Sequence, residues 1–183
     1  ATLELLQTRW RRDDLDFAVE LAEVLLAQFH DPANGGFFFT SSDHEALIQR
    51  PKPLADESMP AGNGVAAMAL QRLGHLLGEP RYLGAATGTL KLAAEPMRRI
   101  PYAHATLLAA LDEHLNPTET IIIRGGKADT TDDELRRWQA AAQKTFAPRR
   151  IVLAIPANEP DLTGGLGAMQ PAETVRAYRR RGT

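Results

Sequence analysis

The sequence predicts a mainly α-helical protein, in which antiparallel helical hairpins precede a small α/β segment. Apolar residues recur at helical spacing in four segments before Pro117, and these helices pair through short connections. After Pro117 the pattern changes to two β-branched runs that flank an amphipathic segment, which is typical of a strand–helix–strand unit. We therefore expect residues 1–117 to form a helical-hairpin region and residues 118–183 an α/β appendage.

The ends of the expected helices are indicated by residues that cap or terminate helices. Either Asp13 or Asp14 can cap the first helix, and the turn-forming residues 31–36 end it. Gly78 and the proline two positions later end the second helix. In the third helix Gly84 and Gly88 each cost about 1 kcal/mol relative to alanine, unless they permit close packing. The expected spans are 13–30, about 60–78, about 80–94 and about 102–114.

The α/β segment contains two expected strands and one expected helix. Residues 120–123 and 151–155 are short, strongly apolar and rich in β-branched side chains, as buried strands are. Thr131 and Glu134 match a capping box at the start of a helix over 132–146. The tail from Asn158 is rich in glycine and proline, and we expect little regular structure there.

Composition excludes several classes of function. The 183-residue chain has a net charge of −2 and no cysteine, so it has no disulfide and no cysteine nucleophile. Near-neutral charge gives no reason to expect nucleic acid as a partner, and no apolar run is long enough for a membrane span. Without a recognisable signal peptide, we expect a cytoplasmic protein. The glycine-rich segments at 124–127 and 164–167 lack the spacing of nucleotide-binding loops.

Candidate functional residues concentrate in the long non-helical stretch 37–64, which lies between two amphipathic helices. Asp56 and Glu57 are candidate catalytic carboxylates, and Asn63 is a candidate hydrogen-bond donor to a substrate hydroxyl. The alternative is that Asp56 and Asn63 satisfy the free amides of a helix start. Phe39 belongs to the aromatic triplet that opens the stretch, and we expect it to contact substrate.

Two histidines complete the candidate site. His44 is a candidate general base, since its unperturbed pKa of about 6.5 suits that role. Its acidic neighbours Asp43 and Glu45 point in different directions in an extended chain, so we expect no metal site. His104, near the start of the fourth helix, is expected to line the same pocket; the alternative is a capping or core-edge histidine.

The run FFFTSSDHEALIQRPKPLADESMPAGNGVAAMALQRLGHLLGEPRYL, residues 37–83, resembles the thioredoxin-domain-containing proteins related to spermatogenesis-associated protein 20. The resemblance implies a helical toroid similar to the six-hairpin glycosidases and the acylglucosamine epimerases, with a carbohydrate as ligand. It also implies that the chain is the C-terminal part of a larger protein whose N-terminal region is thioredoxin-like. Glu57 and Gly64 depart from the family motif, which has glycine and serine there.

The resemblance also sets the expected partners. We expect a carbohydrate ligand, no cofactor, and contact either with the thioredoxin-like region or with further copies of the chain. The alternative is a non-catalytic helical module that docks a partner, with Phe37–Phe39 as its anchor.

Overall fold

The computed structural model describes residues 2–45, 49–125, 131–159 and 176–180, with the backbone alone for 132 and 176–180. The elements are α1 (Thr2–Thr8), α2 (Arg12–Val24), a π-helical turn (Leu25–Phe29), α3 (Gly62–Leu77), α4 (Pro80–Arg99), a 3-10 turn (Pro101–Ala103), α5 (Ala105–Leu115), β1 (Glu119–Arg124), α6 (Asp132–Gln143), β2 (Arg150–Ile155) and β3 (Arg176–Arg180). The protein is therefore mainly helical, with a small sheet.

The chain divides into two compact units. The hairpin unit contains Val19–His75 and Glu79–Asn116. The sheet unit contains Ala1–Ala18, Leu76–Gly78 and Pro117–Thr183. This differs from the division expected at residue 117, because the first eighteen residues group with the strands rather than with the hairpins.

In the hairpin unit, α3 and α4 are antiparallel neighbours. A Cβ atom placed on Gly74 of α3 would lie 2.8 Å from the Leu83 side chain of α4, so the glycine permits close approach. Gly78, with φ of +69°, ends α3 as expected. The carboxylate of Glu79 then caps α4 by accepting a hydrogen bond from the N–H of Arg81 at 3.0 Å.

By contrast, α3 and α5 run parallel. Gly64 lies against Leu107, Gln71 donates to the carbonyl of Ala110, and Arg72 donates to Glu113. Residue numbers therefore rise together along both helices, so their N-terminal ends lie at the same end of the unit. A Cβ at position 64 would come within 3.0 Å of the Leu107 nitrogen, which explains the glycine there.

Three helix ends differ from the expected ones. The third helix was expected to end near residue 94, but α4 continues to Arg99 with Pro96 inside its last turns, where the Ile100 N–H still bonds the Pro96 carbonyl. A 3-10 turn replaces the expected start of the fourth helix, so α5 begins at Ala105. The helix expected over 132–146 ends at Gln143, and its cap is confirmed: Thr131 accepts a hydrogen bond from the Glu134 N–H at 3.2 Å.

The sheet has the strand order β2-β1-β3. β1 and β2 are parallel, with Ile121 opposite Val152, and α6 connects them as the sequence predicts. β3 pairs antiparallel with the other edge of β1. The expectation of little regular structure after Asn158 is therefore wrong over 176–180, because β1 still has backbone groups on that edge to satisfy.

The outer edge of β2 is covered by two glutamines. The Gln7 side-chain oxygen of α1 accepts a hydrogen bond from the Val152 N–H at 3.2 Å. Gln139 of α6 donates to the Val152 carbonyl at 3.4 Å and to the Gln7 carbonyl at 2.5 Å. Leu6 is buried beside this contact. These hydrogen bonds satisfy the N–H and the carbonyl of Val152, so another strand cannot pair with β2 at this residue.

Candidate functional site

The central loop, which we define as residues 37–61, begins at a tight turn built by Asp31. The Asp31 carboxylate accepts hydrogen bonds from the N–H groups of Ala33 at 3.0 Å and Asn34 at 3.1 Å. Gly35 and Gly36 both have φ of +76°, a conformation that favours glycine. The turn places Phe37 opposite His30 in a short antiparallel bridge.

Lys52 holds the far part of the central loop against this turn. Its ammonium donates to the Asp31 carboxylate at 2.5 Å and to the Gly35 carbonyl at 2.8 Å. The same ammonium lies 4.7 Å from the centre of the Phe38 ring. The hydrogen bond from Lys52, together with those of Asn34, holds the pKa of Asp31 well below its usual range.

Asn63, a candidate substrate-binding residue, is buried, and its amide bonds to the main chain. The side-chain oxygen accepts from the Phe37 N–H at 2.7 Å. The side-chain nitrogen donates to the carbonyls of Phe37 at 3.0 Å and Pro53 at 2.9 Å. Both amide hydrogens are therefore used within the chain, and a role toward a substrate hydroxyl stays a prediction.

Asp56, a candidate catalytic residue, joins the N-terminal ends of the two parallel helices. One carboxylate oxygen accepts from the Ala61 N–H at 2.7 Å, just before α3, and the other from the Thr106 N–H at 2.8 Å, in the first turn of α5. Burial alone would raise the pKa of Asp56, but the hydrogen bonds from Ala61 and Thr106 outweigh it, so the pKa lies below its usual value. A carboxylate that is ionised and accepts two hydrogen bonds suits the role of a helix cap better than that of a proton donor.

His104 lies beside Asp56 at the start of α5. The side chain is buried, and its Nδ1 bonds the Ile100 carbonyl at 2.8 Å. Its charge, when protonated, also favours the ionised form of Asp56. The Asp56 N–H donates to the Ala103 carbonyl at 2.7 Å, which fixes the loop against the 3-10 turn. The structure therefore brings Asp56 and His104 together, and a shared functional role for them stays a prediction.

We call residues 56–61 and 100–106 the shared helix end. Because Asp56 bonds Ala103, the adjacent residues Glu57 and Tyr102 flank that hydrogen bond, and both are exposed. The Tyr102 side chain is 87% exposed and that of Met59 is 76% exposed. The sequence analysis did not select Tyr102 as a site residue. The sequence feature that could have indicated it is an aromatic residue next to the start of a helix.

The other two candidates lie elsewhere on the central loop. His44 is exposed, and its Nδ1 is 3.4 Å from the Glu45 carbonyl. Phe39 is 71% exposed, and its N–H donates to the Pro51 carbonyl at 2.8 Å. Within the described ranges, no hydrogen bond or ion pair joins either side chain to Asp56.

Two further features bear on the class of site. Across residues 2–45, 49–125 and 131–159, no group of three histidine or acidic side chains is arranged to hold a metal ion. In the same described part of the chain, no helix has the length and apolar character that a bilayer crossing requires. The glycine-rich segments at 126–127 and 164–167 lie outside the described residues.

Comparison with curated proteins finds similarity over most of this chain. The mouse protein named spermatogenesis-associated protein 20 is 24% identical over 152 residues, and the rat protein of that name is 28% identical over 152 residues. The chain is thus distantly similar to these proteins. The aligned region is 82% of this chain but 19% of the mouse protein, so the chain spans less than a fifth of the relatives' length. No family model matches the chain.

The human spermatogenesis-associated protein 20 gives the same result, with 28% identity over 140 residues, 76% of this chain and 17% of the human protein. The resemblance expected from residues 37–83 is thus supported as distant similarity. The helical toroid goes beyond this similarity and remains a proposal.

The role of Asp56 gives a pH-dependent prediction. Because its pKa is lowered in the folded protein, ionised Asp56 stabilises the fold above its unfolded pKa of about 4, and that stabilisation is lost as the pH falls through the folded pKa. The Asp56→Asn side chain keeps one hydrogen-bond acceptor, its amide oxygen, and has no carboxyl group to titrate. We expect it to lower the free energy of unfolding by about 2 kcal/mol at neutral pH.

The measurement is urea unfolding of both proteins between pH 2 and 7, an interval chosen to bracket an unfolded pKa of about 4. The difference between wild type and variant should be constant above about pH 5 and should shrink below about pH 4. A difference that does not change with pH would show that Asp56 is not the titrating cap.

Proposed function

We propose that the hairpin unit is part of a helical ring in a larger protein, and that its shared helix end binds a carbohydrate. The observation that carries this proposal is the bridge made by Asp56, which holds the starts of α3 and α5 together. This bridge sets the exposed side chains of Glu57 and Tyr102 at the end where two parallel helices begin. The aligned region is only 19% of the mouse protein, which supports a larger protein for this chain as well.

The arrangement of the helices is the one that a ring of hairpins needs. α3 and α5 are parallel, and α4 returns antiparallel to α3. Both parallel helices leave small or medium apolar residues exposed, and a ring of hairpins would place such residues next to a cavity or a further element. These residues are Val65 and Ala69 on α3 and Ala105 and Ala109 on α5.

The exposed side chains suit a sugar better than an apolar or highly charged ligand. An exposed aromatic ring such as Tyr102 offers a flat apolar face for the C–H side of a sugar ring. The Glu57 carboxylate beside it can accept hydrogen bonds from hydroxyl groups. Of the predicted catalytic carboxylates, Glu57 has its side chain exposed, whereas both Asp56 oxygens bond backbone amides. We therefore propose binding as the function of this end, with Glu57 as the candidate for any acid–base step.

The test is calorimetric titration of the chain with a panel of neutral mono- and disaccharides. We expect Tyr102→Ala to weaken binding of the best saccharide about tenfold, since an aromatic anchor is worth about 1 to 2 kcal/mol. Phe146→Ala is the matched control, because Phe146 is also exposed, at 90%, but belongs to the sheet unit. If no saccharide binds, or if both variants bind equally, the proposal is wrong.

One observation favours a second candidate function, the docking of a protein partner. Phe39 is exposed although it belongs to a loop that Asn63 and Lys52 hold firmly, so the chain maintains an apolar group in solvent. Phe37 is only 4% exposed, so of the predicted anchor residues Phe37–Phe39 we propose Phe39 as the one that contacts the partner. Light scattering tests this candidate: Phe39→Ser should abolish any oligomer or any complex with a separately expressed thioredoxin-like region.

A further inference from the structure

Ser42 presents its hydroxyl group at the surface of the central loop. The residue is exposed, yet its backbone is held in place, since its N–H donates to the Gln28 carbonyl at 2.8 Å. Its hydroxyl donates to the Gln28 side-chain oxygen at 3.0 Å, a neutral and exposed contact that water can replace. A modifying enzyme can therefore reach the Ser42 hydroxyl without unfolding the loop.

Arg50 is the neighbour of Ser42 within this loop. Its Nη2 donates to the same Gln28 carbonyl at 3.3 Å and to the Thr40 carbonyl at 2.6 Å. The centre of its guanidinium lies 4.2 Å from the centre of the Phe38 ring. Because the Ser42 N–H and the Arg50 guanidinium share one acceptor oxygen, a group attached to the Ser42 hydroxyl lies within reach of the guanidinium.

The positive charge of Arg50 has no acidic partner among the described residues. Its contacts are two carbonyls and an aromatic ring, which are all neutral. Lys52, the other cation over that ring, is paired with Asp31. Loop residues 46–48, which lie outside the described ranges, are alanine, leucine and isoleucine and carry no charge. A partly buried cation gains stability from a counter-charge, which this loop does not itself supply.

One nitrogen atom of the Arg50 guanidinium is open to a new partner. The Nε atom is buried, and Nη2 already donates to two carbonyls. Nη1 makes no hydrogen bond within the described ranges and is not among the polar atoms that are buried without a partner, so it reaches solvent. An anion at the surface can therefore pair with Nη1 without entering the packed interior.

Two acidic residues follow Ser42 closely in the sequence. Asp43 and Glu45 are exposed, and neither forms an ion pair within the part of the chain that the structure describes. Exposed unpaired charges attract a partner of opposite sign, so this segment is complementary to a serine kinase with a basic peptide groove. The Thr40 hydroxyl, by contrast, is buried, and a kinase cannot reach it.

We propose that Ser42 is a phosphorylation site and that its phosphate pairs with Arg50. The Ser42 oxygen forms a bond to the γ-phosphorus of a nucleoside triphosphate, the bond from that phosphorus to the β,γ-bridging oxygen breaks, and the nucleoside diphosphate leaves. The hydroxyl proton passes to the catalytic base of the kinase. The phosphate adds a charge of about −1.5 to −2 at neutral pH, which supplies the anion that Arg50 lacks. The site does not depend on carbohydrate binding at the shared helix end.

Phosphorus NMR tests the pairing in the full 183-residue chain, with phosphoserine installed at position 42 during synthesis. We expect the second pKa of the phosphate to lie below its ordinary value of about 6, because the guanidinium favours the dianion. The melting temperature at neutral pH should rise by about 3 °C over the unmodified chain. Arg50→Gln should return the pKa to about 6 and abolish the rise, while Asp43 and Glu45 act equally in both proteins.

Phosphoserine at position 58 is the matched control, because Ser58 is exposed in the same loop and is not among the residues that contact Arg50. Its pKa should be the same with and without Arg50→Gln. Circular dichroism establishes that each variant is folded. The comparison of positions 42 and 58 in the otherwise unaltered chain also tests the pairing without any substitution of Arg50: a lower pKa at position 42 is expected.

The modification itself is tested with ATP and a serine kinase that prefers acidic sequences, and mass spectrometry locates the phosphate. We expect phosphate on Ser42, no phosphate at this position in Ser42→Ala, and about tenfold slower incorporation in Glu45→Gln. The proposal is overturned if the kinase leaves Ser42 unmodified, or if the pKa of the phosphate at position 42 is the same with and without Arg50→Gln.

Discussion

Replacing Gly35 with alanine is expected to lower the free energy of unfolding by about 3 kcal/mol or more. Gly35 has φ of +76°, and an added Cβ would lie 2.4 Å from the Gly88 carbonyl oxygen and 2.7 Å from its carbonyl carbon. Because both atoms belong to the backbone of α4, they cannot move aside as a flexible side chain can. The left-handed conformation adds roughly 1 kcal/mol for any residue with a Cβ. Urea unfolding measures the effect.

Gly84→Ala is the matched control on the same helix. An added Cβ there would meet no atom within 4 Å, and the position is exposed in the interior of α4. Alanine should therefore stabilise the protein by about 1 kcal/mol, through helix propensity alone. Opposite signs for the two variants are the expected result. A neutral Gly35→Ala would mean that the turn at 31–36 does not pack on α4.

Replacing Asn63 with aspartate should cost about 3 to 5 kcal/mol at neutral pH, although the two side chains have nearly the same shape. The carboxylate would still accept from the Phe37 N–H. Its other oxygen would face the carbonyls of Phe37 and Pro53, which now receive hydrogen bonds from the amide nitrogen. Two buried acceptors would lose their donor, and a buried negative charge would lie against them.

Protonation of that aspartate restores one donor, so the penalty should become smaller as the pH falls below the raised pKa of the variant side chain. Asn63→Ala removes all three bonds without adding charge and should cost about 3 kcal/mol. Asn116→Ala, at an exposed asparagine, should cost less than about 1 kcal/mol. Equal unfolding free energies for the two alanine variants would contradict the role of Asn63 as the anchor of the central loop.

The sequence predicts much of the regular structure because the signals for it are local. Apolar spacing and a terminal glycine define α3, and Thr131 caps α6 through a residue only three positions away. The sequence does not predict that α4 extends past Pro96, because proline usually ends or kinks a helix. In the structure the helix continues to Arg99, and the Ile100 N–H still bonds the Pro96 carbonyl. β3 was missed because its strand character comes from pairing with β1 rather than from its own residues.

The candidate site was harder to predict because its contacts are distant in sequence. Asn63 and Phe37 are 26 positions apart, and Asp56 and Thr106 are 50 positions apart. Sequence spacing indicates which side chains are chemically capable, but it does not show which main-chain groups they meet. The sequence indicates Asp56 and Asn63 by their chemistry, while their hydrogen-bond partners required the fold, and their role at a site stays a prediction.

The two glutamines on the edge of β2 have a consequence for the order in which the protein can fold. Gln7 and Val152 are 145 positions apart, and the whole hairpin unit lies between them in the sequence. During synthesis α1 leaves the ribosome long before β2 exists, so Gln7 has no β2 edge to bond until then. The hairpins can pack meanwhile, because their contacts are closer in sequence. We therefore expect α1 to reach its native contacts with β2 only after the hairpins have packed.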